Sequence, residues 1–175
     1  MTTLLRRSRL LALAAVLVGI IPALKAEDST AANPLEPFRR FVGGAWKTHG
    51  DVKVRVVYEW GLNKKLLKIK SYLGGESGEK LVYESVVYWH PQKKHVAFQS
   101  VSAQGGLFDG VMTVQGNTFS SEFTSYNDDK VTPYRQTLEF LDDDHVIWTV
   151  LGKKGDEWVT LHKENETRVK EAEAK

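Results

Sequence analysis

The chain has 175 residues and no cysteine. That excludes disulfides, a lipid-modified N-terminal cysteine, thiolate metal sites and cysteine nucleophiles, so stability must come from packing and the hydrogen-bond ladder. It also has no Gly-x-Ser-x-Gly, His-Glu-x-x-His or phosphate-loop pattern, and so lacks the common sequence marks of serine hydrolases, zinc proteases and nucleotide-binding enzymes. No His-x-His or His-x-x-x-His pair offers a metal site.

An excess of basic charge is missing too, once the N-terminus is set aside. The whole chain carries 24 Lys+Arg against 22 Asp+Glu. Residues 1–26 hold four of the basic residues (Arg6, Arg7, Arg9 and Lys25) and no acidic ones, which leaves a net charge of −2 for the remainder. A near-neutral surface gives no electrostatic footprint for nucleic acid. The apolar run Leu10 to Ala23 is too short and wrongly flanked for a transmembrane helix. With the arginines before it and Ala26 after it, it reads as a signal peptide over 1–26, although Leu24 stands where a second small residue is preferred. The expected destination is the periplasm or the extracellular space. Arg6-Arg7 raises twin-arginine export, but Ser8 and Arg9 separate the pair from the apolar run, which favours general secretion.

What remains is dominated by strands. Residues 27–33 are small and polar and read as an arm. Asn33 and Pro34 have the chemistry of a helix start, Leu35, Phe38, Phe41 and Val42 form a helical stripe, and Gly43-Gly44 ends it. From Trp46 the apolar period becomes two. Val52, Val54, Val56, Tyr58 and Trp60 alternate with mostly polar neighbours, and nine further short β segments follow or precede at hairpin spacing up to about Glu164. Connections of two to six residues require antiparallel pairing. The expected fold is all-β, an antiparallel up-and-down barrel of about ten strands over 34–164 with a short N-terminal helix, a two-sheet sandwich being the alternative. Residues 165–175 read as a charged tail.

Phe41-Val42-Gly43-Gly44-Ala45-Trp46, Tyr58-Glu59-Trp60, Trp89-His90-Pro91, Phe108-Asp109-Gly110, Tyr134-Arg135-Gln136 and Asp142-Asp143-Asp144-His145 follow in order along the chain. In this the chain resembles a family of small exported bacterial proteins with a lipocalin-like (calycin-type) β-barrel domain of unknown function. His90 departs from the acidic residue usual there before the proline. The resemblance implies that Trp46, in Gly-x-Trp, is a structural plug at the closed end of the barrel.

In a barrel of this size, inward rings either fill a core or wall a cavity. Trp60, Phe98, Tyr134 and Trp148 are the candidate wall of a site for a small apolar or amphipathic molecule, with Gln99 and Gln136 orienting it. Ser100, Ser102, Gln104, Ser120, Ser121 and Thr124 are candidate polar lining. A structural or interaction module with a filled core is the alternative. Arg135 shares a strand with the apolar face Tyr134, Gln136, Leu138 and Phe140 and is expected to point away from it, against a carboxylate clamp. No cofactor is required, and haem held by one histidine is the lesser possibility among His49, His90, His95, His145 and His162. His90 and His95 flank a four-residue turn and are expected to face each other. Asp142 to Asp144 reads as a turn. No catalytic residue is assigned, and an enzyme would need a His–carboxylate pair converging inside the barrel.

Overall fold

A computed structural model describes residues 33–75, 78–128 and 130–170. The expected signal peptide, nearly all of the arm and the last five residues lie outside the described residues. The strands are β1 (Ala45–Thr48), β2 (Val54–Gly61), β3 (Leu66–Gly75), β4 (Gly78–His90), β5 (His95–Ser102), β6 (Leu107–Gln115), β7 (Thr118–Asn127), β8 (Lys130–Phe140), β9 (His145–Lys154) and β10 (Glu157–Val169). Each pairs antiparallel with its sequence neighbours, and the four-residue β1 pairs with both β2 and β10, closing a ten-stranded barrel. The sandwich alternative is thereby excluded. Strand β10 runs to Val169, five residues past the expected end at Glu164, because Thr48 to Ala45 offer it a ladder at Glu166 to Val169.

Directly opposed residues share a face of the sheet, so the register carries the inward face around the ring. Trp46 opposes Val56, Tyr58 opposes Ile69, and Leu67 opposes Val87. Val87 opposes Phe98, Met112 opposes Ser121, and Leu138 opposes Trp148. The same face includes the buried cluster at one end of the barrel.

That end is sealed by the segment before β1. The expected helix is a single 3₁₀ segment, Glu36–Phe41. Leu35, just before it, and its buried residues Phe38 and Phe41 are three apart, and three residues per 3₁₀ turn stacks them on one side. Asn33 Oδ1 accepts the Leu35 N–H at 3.1 Å. Phe41 lies at the centre of the seal, with ring centroids 4.7 Å from Tyr58, 4.8 Å from Phe119 and 4.9 Å from Phe140. Trp46 is fully buried, and its Nε1 donates to the Phe41 carbonyl at 2.9 Å. Gly44 has φ +150°, and a Cβ there would sit 2.6 Å from the Val169 carbonyl oxygen, so only glycine lets β1 approach β10 at this point.

Trp46→Ala is expected to destabilise the fold by about 3–5 kcal/mol, because it leaves a large cavity. Trp46→Phe should cost about 1–3 kcal/mol, chiefly for the unpaired Phe41 carbonyl. Urea unfolding followed by circular dichroism checks both.

Candidate functional site

The other half of the barrel interior is built differently. Near the seal, Leu67, Val87, Phe119 and Val146 are at most 1% exposed. Toward the open end, the inward residues Phe98, Phe108, Phe123, Tyr134, Trp148 and Val150 are only half-buried. Four of these rings join Tyr83 at the rim in a continuous band: Tyr83–Phe108 at 5.5 Å, Phe108–Phe123 at 6.1 Å, Phe98–Phe123 at 5.9 Å and a stacked Phe123–Tyr134 pair at 5.6 Å. Gly110 makes room for the band. It opposes Phe123, and a Cβ on it would lie 2.5 Å from Phe123 Cβ. Buried Ser85 and Ser100 satisfy each other through a 2.7 Å hydroxyl hydrogen bond.

The opposite wall is β10, where a bulge decides which residues face inward. Thr160 pairs with Leu151 and His162 with Val150, leaving Leu161 as the extra residue. A bulge shifts the alternation by one, so His162, Glu164 and Glu166 turn inward opposite Val150, Trp148 and Val146. Leu161 lies over Gly152, whose missing Cβ would come 2.6 Å from Leu161 Cδ1. Likewise Glu164 extends over Gly50, where a Cβ would lie 1.8 Å from Oε1.

This row of polar groups lacks partners. His162 Nε2 and Glu164 Oε2 are buried without a hydrogen bond, 3.8 Å apart. The His162 ring sits 4.4 Å from the Trp148 ring. Glu166 is 4% exposed and forms no hydrogen bond or ion pair. Burial, and secondarily the charge of Glu164, pushes its carboxyl up to about 7. Burial, and then Glu166, raises the Tyr58 hydroxyl well above its usual range.

Of the residues expected to wall a site, Phe98, Tyr134, Gln136 and Trp148 face the interior. Trp60 also faces inward but at the sealed end, beside Val42. Gln99 is exposed on the outer face, because Phe98 and Ser100 take the inward positions of β5; an orienting role inside the barrel does not fit that placement. Ser100, Ser102 and Ser121 are inward, whereas Ser120 and Thr124 are outward and Gln104 lies in a loop. Arg135 points outward as expected, 3.1 Å from Glu122 and 4.4 Å from the centre of the Trp158 ring. His90 and His95 face each other at 5.7 Å. Asp142 caps its turn, Oδ1 accepting the Asp144 and His145 N–H groups at 2.8 and 2.9 Å.

Sequence reasoning missed Glu164 and Glu166, which it placed at the strand end and in the tail. Only the bulge brings them inside. The His–carboxylate pair an enzyme would need is present as His162 and Glu164, but at 3.8 Å it is longer than a hydrogen bond, and no hydroxyl bonds to His162 among the described residues. No group of three or more metal-binding side chains occurs among the described residues. Two surface depressions lie elsewhere, one by Arg39, Arg40 and Arg168 at the sealed end, the other on the outer face of β3 to β5 near Lys70, Glu84 and Gln99.

No protein-family model and no curated protein sequence matches the chain. Among solved structures, that of Rv2717c from M. tuberculosis is similar, with a TM-score of 0.50 and 12% identity over 79% of this chain and 99% of the other. The likeness is one of fold.

Because Glu166 binds its proton more tightly folded than unfolded, its contribution to stability falls as pH rises from about 4.5 to about 7. Above that range the buried charge should cost the fold a few kcal/mol, roughly 2–4. Glu166→Gln should therefore melt higher than the parent at about pH 8 and show a flatter pH dependence between those limits. Thermal unfolding across the range checks this, and a variant with unchanged slope contradicts it.

Proposed function

We propose that the protein is an exported, lipocalin-like barrel that holds one small amphipathic molecule in the open half of its interior. The observation that carries this reading is the row of unpartnered polar atoms on β10, facing a wall of half-buried rings. Leaving such groups dry and unpaired is costly. A ligand with an apolar body and a polar end satisfies both walls at once, the body against Phe98, Phe123, Tyr134 and Trp148, the polar end toward Gln136 and β10. The accessibility of these rings, beside the tight packing at the sealed end, speaks against a filled core. Export rests on the N-terminal pattern of residues 1–26.

A second reading is haem held by one histidine. His162 is the one histidine on the inward face; His49, His90, His95 and His145 are on outer or turn positions. Its buried, unpartnered Nε2 beside Trp148 fits a nitrogen donor to an iron porphyrin within an apolar wall.

Titration with decanol should change tryptophan emission, and native mass spectrometry should find a single bound molecule. Tyr134→Ala and Trp148→Ala should each weaken binding roughly tenfold. An unresponsive protein that repeatedly emerges empty from its own host would sink the binding reading. Haem titration separates the second reading: it requires a Soret band that disappears in His162→Ala.

A further inference from the structure

We infer that the interior site selects an organic cation, a protonated primary amine on an apolar body, over neutral and anionic amphiphiles of the same shape. This rests on the reading of the open half as a ligand site and specifies the sign of charge it takes.

Three polar groups line one face of β10, two of them at the open half. Glu164 Oε2 and His162 Nε2 lie 3.8 Å apart, both buried without a hydrogen bond, and the Glu166 carboxylate is two residues further along the same face, opposite Val146 toward the seal. None has a protein donor. An ammonium group has three donors and no acceptor, so it complements the set. A carboxylate ligand would add a third negative charge beside two that already repel.

Nor does the barrel neutralise these groups itself. Below the rim, Arg168 is the one inward Arg or Lys among the described residues, and its guanidinium is committed at the sealed end. It lies 4.6 Å from the Trp46 ring centre, donates to the carbonyls of Val42, Arg40 and Asp143, and pairs with Asp144 at 3.0 Å. The aromatic wall points the same way, because ring faces attract cations, most strongly where water is excluded. Trp148 stands directly opposite Glu164 in the ladder, so one ammonium reaches a carboxylate and an indole together. Glu166, nine-tenths buried and without a hydrogen bond, is the kind of group a structural core would replace with an apolar residue.

The test compares decylamine, decanol and decanoate by calorimetry on the parent protein at about pH 8, above the Glu166 transition. Decylamine should bind at least about tenfold more tightly than decanol, and decanoate more weakly than decanol. In a Glu164→Gln, Glu166→Gln double variant the preference of amine over alcohol should vanish, the two ligands binding within about twofold of each other. Equal affinities for amine and alcohol, or tightest binding of decanoate, overturn the charge selection and leave the binding reading standing. Failure of all three to bind overturns the binding reading and this inference with it. The parent series alone decides the matter should the double variant not fold.

Discussion

Closure of the ring through the four-residue β1 is the constraint on which the rest of the structure depends. The nine-stranded meander from β2 to β10 has two free edges until one short strand satisfies both, and Ala45–Thr48 does so against β2 and β10. The close approach requires a glycine at position 44, and the junction is locked by Trp46 beneath the 3₁₀ segment and by Arg168 above its ring. Because Arg168 is the residue of β10 opposite Trp46, the same contact fixes the register of β10. With that register fixed, Glu166 opposes Thr48 and has no position but the interior.

The two halves of the barrel therefore carry opposite costs. The sealed half gains from dense aromatic packing around Phe41, where burial of each ring contributes a few kcal/mol. The open half holds the unpartnered Glu164 and His162, and Glu166 lies buried between them and the seal; such groups reduce stability. The bulge at Leu161 produces this expense: without it, the inward residues of β10 beyond Leu161 would be Lys163, Asn165 and Thr167, and the acidic groups would sit in water. On the proposed reading, ligand binding rather than stability sets these residues.

The strand array was legible in the sequence because alternation in β2 and β8 is clean and the turns are short. All ten expected strands are found, including the edge-closing piece at Trp46. The inward face of β8 followed from Tyr134, Gln136, Leu138 and Phe140, and this placed Arg135 outside. Strand β5 was less readable: Val96, Phe98, Ser100 and Ser102 form its inward face, but the run Gln99-Ser100 offers polar residues to both faces, and Gln99 fell on the wrong one. The 3₁₀ geometry of the plug was hidden because Leu35, Phe38 and Phe41 suit either helix type. The polar row of β10 was hidden for a stronger reason. A bulge has no sequence mark here, and Glu164 and Glu166 lie in a charged stretch that reads as solvated tail; only pairing with β1, a partner more than a hundred residues away, makes it a strand.

The absence of cysteine makes thiol reactivity the most direct probe of whether the open half is a reachable cavity. Val146→Cys and Val150→Cys place one thiol on the same inward face of β9, the first under the seal, the second level with His162. The account predicts that a small thiol reagent modifies the native protein at position 150 but not at 146, and that decanol protects position 150. Equal resistance at both positions in the folded protein would show a filled interior and contradict it.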